Sequence, residues 1–303
     1  MKQLSNQTKF YLTMAKKILL TGSSGGFGKL TALTLLKNGH QVAASMRDID
    51  GKNKNVADEL RQAGALIIEI DVTDDTSVTT GVSKAINDLN GLDVLINNAG
   101  VGVLGMQEFF TTKDFQKLFE INVFGVQRMN RAVVPYLRKQ ENGLIIYISS
   151  LLGRIALPFY GPYQSSKWAL EALAENYRVE LSGFGIENCI VEPGGYPTTF
   201  ADNLMRPSDK SQEEFYGDFG KFPEQMLHNF EIALKNNPQQ DPQKVADAIA
   251  ELIGKPKGEK PFRTPVDFIG MADHIQKYNE HLEQIMTGIY TNFGTQGLLN
   301  VKK

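Results

Sequence analysis

Residues 16–39 read KKILLTGSSGGFGKLTALTLLKNG, and their reading decides the fold. Ile18, Leu19 and Leu20 form a short apolar run of the kind a buried strand needs. It runs directly into the glycine-rich turn TGSSGGFG at residues 21–28. Residues 30–37 then carry helical periodicity and stop at Asn38-Gly39. Strand, glycine turn and helix in this order are the setting in which a phosphate-binding loop is credible. Gly22 permits the tight turn, Gly26 lets backbone approach a pyrophosphate, and Gly28 permits close helix–strand packing. The helix start offers unpaired N–H groups and the positive end of its dipole to an anion. The spacing is Gly-x-x-x-Gly-x-Gly rather than the more familiar Gly-x-Gly-x-x-Gly, and by itself the turn is equally compatible with a plain flexible loop.

Outward from this unit the alternation repeats. Residues 41–45, 66–70, 93–96, 143–148 and 186–191 read as further strands, and 261–266 as a last one. Helical patterns lie between them at 56–63, 74–89 with Asp74 as N-cap, 112–138, and about 161–181. Strands alternating with helices predict an α/β fold: one doubly wound parallel sheet of about seven strands with helices on both faces. In such a sheet ligands sit beyond the carboxyl ends of the strands. The turns Asn97-Asn98-Ala99-Gly100 and Pro193-Gly194-Gly195-Tyr196-Pro197-Thr198 follow strands and belong to that edge. Asn122 lies inside the 112–138 helical pattern, where a buried amide needs a partner, and Pro135 is expected to bend that helix near its end. Residues 199–240 are polar with scattered aromatics, read as a lid over a pocket or a peripheral helical insertion. A helix is expected over 241–254 and an amphipathic one over 266–287. No linker interrupts residues 16–303, which read as a single domain with 255–303 as a C-terminal extension.

Chemistry enters at three places. After the second strand come Met46, Arg47 and Asp48. A basic side chain there accommodates the 2′-phosphate of NADP, and an acidic one binds the ribose of NAD; Arg47 favours NADP, with NAD as the alternative. Ser150 ends the fifth strand. Tyr163 and Lys167 are four apart, on one helix face. A phenol titrates near 10, and bringing it to about 7 takes roughly 4 kcal/mol. One cation about 4 Å away at an effective dielectric near 20 supplies about that much. The pair is therefore a candidate for proton transfer, although the same spacing also occurs on ordinary exposed helices.

The composition narrows the classes. The chain has 303 residues, 32 Lys+Arg against 34 Asp+Glu, and a formal net charge of −2. No global basic excess points to nucleic acid or an anionic membrane. The single Cys189 cannot form an internal disulfide, which fits a reducing, cytoplasmic setting, and its apolar neighbours mark it as a buried thiol. No apolar run approaches the ~20 residues of a membrane span. Residues 1–15 read as a short leader without a signal-peptide core, with Met14 as a candidate start. The four histidines lack metal-ligand spacing, and no metal is expected.

Taken together, TGSSGGFG at 21–28, Asp71-Val72-Thr73-Asp74, Asn97-Asn98-Ala99-Gly100, Asn122, Ser150, Tyr163-x-x-x-Lys167 and Pro193–Thr198 resemble the short-chain dehydrogenase/reductase family, in its order and at its spacings. The resemblance covers about residues 16–198. It implies a Rossmann-type fold and hydride exchange with a nicotinamide cofactor. Tyr163 is then the general acid or base, and Lys167 tunes it and holds the nicotinamide ribose. Ser150 bonds the substrate oxygen, and Asn122 holds a water on a proton path. Gly22, Ser24, Gly26, Phe27 and Gly28 form the cofactor loop. Asp71 and Val72 contact adenine, Asn98 the adenosine side, and Pro193, Gly194 and Thr198 the nicotinamide. The implied activity is NADP(H)-dependent interconversion of a carbonyl and a primary or secondary alcohol. NAD-dependent oxidation and a catalytically silent dinucleotide sensor are the alternatives. Leu151, Leu157, Phe159, Tyr160 and Tyr196 point to an apolar substrate, and the resemblance implies a homodimer or homotetramer. The family's NADP-using members often carry a basic residue within the glycine loop; Ser23 and Ser24 stand there here.

Overall fold

The computed structural model describes residues 15–303; residues 1–14 of the expected leader lie outside the described residues. The strands are β1 (Lys17–Leu20), β2 (Gln41–Met46), β3 (Leu66–Glu69), β4 (Val94–Asn97), β5 (Gly143–Ile148), β6 (Ile186–Pro193) and β7 (Arg263–Val266). They form one sheet in the order β3-β2-β1-β4-β5-β6-β7, with every pairing parallel. The chain reverses direction across the sheet between β1 and β4. At that crossover the carboxyl ends diverge and leave a crevice.

Because successive side chains on a strand face opposite ways, each strand feeds two cores. Ile18, Leu20, Leu144 and Ile146 pack with Leu35, Leu60, Val245 and Ile249 on one side. Leu19, Ile145 and Tyr147 pack with Val82, Met129, Val133 and Leu170 on the other. Each such fully buried aliphatic side chain contributes about 2 kcal/mol. The helices before β6 are α1 (Gly26–Lys37), α2 (Lys54–Gln62), α3 (Asp75–Leu89), α4 (Thr112–Phe119), α5 (Gly125–Lys139) and α6 (Gly161–Ser182). After β6 come α7 (Glu213–Tyr216), α8 (Phe222–Lys235), α9 (Gln243–Gly254) and α10 (Ala272–Asn292). Asp74 caps α3 as expected, its carboxylate accepting the Ser77 N–H. No helix among the described residues is long and apolar enough to cross a membrane.

Three expectations need correction. Helix α1 starts at Gly26, inside the glycine turn, not at Leu30. The 112–138 pattern is not one helix: a π-helical turn, Glu120–Phe124, separates α4 from α5. Hydrophobic spacing barely registers one wider turn, and such turns concentrate at functional sites. Pro135 lies inside α5, near its end. Finally, no helix begins at Val266. The Asp267 carboxylate accepts the N–H groups of Ile269 (3.2 Å), Gly270 (3.2 Å) and Met271 (2.9 Å) and delays α10 to Ala272.

Candidate active site

The glycine turn is fixed from behind by β4. The Thr21 hydroxyl accepts the N–H groups of Asn98 and Ala99, each at 3.0 Å. The Asn98 amide donates back to the carbonyls of Thr21 (2.9 Å) and Gly22 (3.0 Å). Asn98 therefore shapes the loop, and its amide N–H groups are already used. Gly22 has φ +69°, and a Cβ there would come within 2.7 Å of the Ala99 Cα. A Cβ on Gly28 would overlap the Gly22 carbonyl oxygen. Helix α1 opens at Gly26 with no side-chain cap, leaving first-turn N–H groups for an anion. Ser24 is half-buried in the same turn. Phe27 packs edge-on against Tyr196 at 5.4 Å between centroids, and Gly26 lies within 4 Å of Thr198, counted from an added Cβ. The loops after β1 and β6 thus meet over the crevice. Gly194 donates its N–H to Val266 at 2.8 Å, which anchors the Pro193–Thr198 turn to β7.

At the end of β2, Met46 is buried and the Arg47 side chain is 61% exposed, with its guanidinium 3.5 Å from Asp71. Burial raises the Asp71 carboxyl, but hydrogen bonds from Thr73 and the Arg47 charge outweigh it and leave it below the ordinary range. Asp48 is turned into its own loop: its carboxylate accepts the Lys52 N–H at 2.8 Å. Val72 is buried against Gly125 at the start of α5. A nicotinamide dinucleotide fits this surface: glycine backbone for the pyrophosphate, a free helix start, and a partly available guanidinium at the ribose end.

Asn122 on the π turn, Ser150 after β5, and Tyr163 and Lys167 on α6 come from three different segments and are all nearly buried, at 1%, 9%, 8% and 5% exposure. The Asn122 amide brackets Val101, accepting its N–H and donating to its C=O, each at 2.9 Å, and donates to Ser166 at 3.0 Å. The π turn brings Asn122 to this position. The Lys167 Nζ donates to the Ile148 carbonyl at 2.8 Å and sits 5.6 Å from the Tyr163 ring centroid. Gly100 lies between: a Cβ there would be 3.3 Å from Asn122 Oδ1 and 3.8 Å from Lys167 Nζ. Ser150 starts a short 3-10 turn, and its hydroxyl accepts the Leu152 N–H at 3.1 Å.

Burial dominates the electrostatics. It pushes the Tyr163 phenol up to about 12, opposed by a lowering hydrogen bond from Ser150 and reinforced by Tyr160. It pushes the Lys167 ammonium down to about 8, against the Glu171 carboxylate. In the protein alone, then, Lys167 does not bring the phenol toward neutrality; desolvation drives the two groups apart.

The roof is apolar. Tyr163 belongs to a buried cluster with Val103, Phe110 and Leu118, flanked by Leu152 and Met205. Phe200 lies edge-on to Tyr163, and Met205 pairs with the Gly102–Leu104 backbone at 2.9 and 3.1 Å. Residues 199–240 are thus both helical, through α7 and α8, and packed over the site at their start. Two groups were not singled out by spacing. Thr21 locks the loop, and Glu171 lies one turn beyond Lys167. The signal for Glu171 was present in the sequence, since 163, 167 and 171 continue the same four-residue step.

The sequence matches the short chain dehydrogenase model over residues 16–209. The chain belongs to that family. It is an NAD(P)-dependent dehydrogenase or reductase. It is 36% identical over 250 residues to a 3-ketodihydrosphingosine reductase of Bacteroides thetaiotaomicron, covering 82% of this chain and 87% of the relative. It is 32% identical over 249 residues to retinol dehydrogenase 8 of Bos taurus, covering 79% and 78%. Among solved structures, an alcohol dehydrogenase from Thermococcus sibiricus complexed with 5-hydroxy-NADP superposes with TM-score 0.65 at 25% identity, covering 83% of this chain and 96% of that one.

Proposed function

We propose that the enzyme interconverts a carbonyl and a primary or secondary alcohol on an apolar substrate, using NADP(H). The observation that carries this reading is the Tyr163 phenol, which is held between a polar set (Ser150, Lys167) and an apolar roof (Val103, Phe110, Phe200). Relatives named for 3-ketodihydrosphingosine and for retinol support that reading.

When bound, the cofactor supplies or accepts the hydride. The chain's own residues handle everything else. Tyr163 donates a proton to the carbonyl oxygen in reduction and accepts it in oxidation. Its high pKa keeps it protonated in the resting protein, ready as an acid. Ser150 bonds the same oxygen as charge develops on it. Lys167 places an ammonium beside the phenol and is positioned to hold ribose hydroxyls. Asn122, 3.3 Å from the space beside Gly100, retains a water leading outward. Gly22, Ser24, Gly26, Phe27 and Gly28 take the pyrophosphate, Asp71 and Val72 the adenine, and Pro193, Gly194 and Thr198 the nicotinamide. Asn98 acts through the loop it holds.

The choice of NADP rests on Arg47, because Asp48, the acid next in the chain, is committed to the Lys52 N–H. The NAD reading draws on the pairing of Arg47 with Asp71. We further read 16–303 as one domain, 199–240 as a lid and 255–303 as an extension that closes the sheet edge. The setting is cytoplasmic and the assembly a homodimer or homotetramer, with Phe124 and Trp168 exposed at 46% and 44% on the π turn and α6. A single-subunit mass by light scattering would refute the assembly.

The test is NADPH oxidation with a panel of long-chain ketones, aldehydes and, in reverse, alcohols. Turnover is expected on apolar members and abolished in Tyr163→Phe, while cofactor affinity is retained. Full activity in that variant would sink the mechanism.

A further inference from the structure

Behind Lys167 lies a buried charge cluster that the chemistry above does not use. Glu171 on α6 and Glu192 on β6 are 1% and 0% exposed. Arg263 on β7 reaches both carboxylates through the same Nη1, with Glu192 at 3.0 Å. Arg154, from the loop after β5, reaches Glu171 at 2.6 Å and Glu192 at 3.4 Å. Both arginines also reach Glu175 on α6, which is 31% exposed at its side chain and borders Arg178 and Glu283. Asn279 on α10 donates to Glu192 at 2.6 Å. On the site side, Ser149 donates to Glu171 at 2.6 Å, directly before Ser150.

The charges do not balance within the cluster. Three carboxylates face two guanidiniums; Arg178, which borders Glu175, is held by Glu283 through both of its terminal nitrogens, and Lys167 lies one helical turn before Glu171. Isolated buried charge is strongly disfavoured. Two adjacent carboxylates in such a place share a proton, so that the pair carries one negative charge.

We propose that Glu171 is a positioning residue for the active-site lysine: the Glu171–Glu192 pair holds a single negative charge, and the share resting on Glu171 sets how firmly Lys167 keeps its proton. The inference rests on reading Lys167 as part of the proton-transfer site, but its test needs no turnover. The directions of titration agree with it. Burial pushes both carboxyls up, Glu192 to about 7, and Glu171 is the group that opposes the lowering of Lys167. The cluster also links the site to β7 and α10 through Arg263 and Asn279, so the C-terminal extension bears on the same lysine.

The two partners predict opposite effects. In Glu171→Gln the negative charge moves wholly to Glu192, which, unlike Glu171, does not oppose the lowering of Lys167, and Lys167 should lose its proton at lower pH. In Glu192→Gln the charge moves wholly to Glu171, and Lys167 should hold its proton to higher pH. A shift of about one pH unit each way is expected, equivalent to a tenfold change in proton affinity. The readout is the Nζ titration of Lys167 by lysine-15N NMR in the cofactor-free protein, assigned with Lys167→Arg. The alkaline limb of turnover should follow it in the holoenzyme. Glu175→Gln removes a carboxylate that helps the pair keep its proton, so it should shift the Lys167 titration in the same direction as Glu192→Gln. If only one variant folds, its direction alone decides. Shifts in the same direction in Glu171→Gln and Glu192→Gln, or no shift with the network intact, would overturn the proposal. Normal NMR shifts without any turnover would instead count against the proposed reaction.

Discussion

The Phe200 ring stands edge-on to the Tyr163 ring, with centroids 5.7 Å apart and planes at 63°. A residue from the segment after β6 thus touches the phenol that the chemistry needs. Phe200 is 41% exposed, and the rest of its ring lies against Tyr163 and the Gly102 backbone.

Phe200→Ala should therefore change substrate handling more than fold. An edge-to-face pair is worth about 1 kcal/mol beyond its area, and part of that would be transferred to a bound apolar substrate. kcat/KM for a long-chain ketone should fall about 3- to 10-fold, mainly through KM. Cofactor affinity, measured by fluorescence titration, should stay within a factor of two. An unchanged KM across short and long substrates would exclude Phe200 from the pocket.

Lys167 offers a test of the electrostatics by stability. Its ammonium sits near 8 in the folded protein against an ordinary 10.5. Below pH 8 both folded and unfolded chains carry the proton, and the folded one bears the full cost of burying the charge. Between 8 and 10.5 only the unfolded chain binds it, so stability from this group rises with pH. The cost relieved is on the order of 3 kcal/mol at the upper limit. Lys167→Met has no such dependence. The stability advantage of that variant over the native protein should shrink as pH rises from 7 to 9.5 in cofactor-free urea titrations. A constant difference would show that Lys167 is not desolvated.

Much of this site was legible from residue order. The βα alternation predicts the parallel sheet, and strand ends followed by Gly, Asn or Ser place Gly22, Asn98, Ser150 and Thr198 on one edge. The features that escaped depend on side chains reaching across the fold. The π turn at Glu120–Phe124 shifts the helical pattern by a single position, and only the grip of Asn122 on Val101 reveals it. Asp267 looks like a helical residue until its three backbone N–H bonds are seen. The simple Coulomb estimate for Tyr163 and Lys167 omitted desolvation, which depends on the roof above them and is not written in their spacing.

The proposed preference for NADP is tested at Arg47. Its guanidinium is half free and 3.5 Å from Asp71, while Asp48 is folded into its own loop. A charge-assisted bond to a 2′-phosphate is worth roughly 1.5–3 kcal/mol. Arg47→Ala should weaken NADPH binding by about 10-fold or more and leave NADH within about 2-fold. Equal loss for both cofactors would remove the 2′-phosphate role.

Asn98 should give the complementary pattern. Its amide bonds the Thr21 and Gly22 carbonyls at 2.9 and 3.0 Å, and no other side chain reaches that turn in its place among the described hydrogen bonds. Asn98→Ala leaves both carbonyls without that donor, at a cost of about 1–3 kcal/mol, and frees the turn whose shape Gly22 and Gly28 make possible. The 2′-phosphate end is untouched. NADPH and NADH affinities should therefore fall together, by about 10-fold each, and the melting temperature should drop by several degrees. Those two outcomes would separate the parts of the cofactor surface, with Arg47 as the discriminating residue and Asn98 as the holder of the loop that both cofactors share. A loss confined to NADPH in Asn98→Ala would mean that the loop is held by its backbone alone.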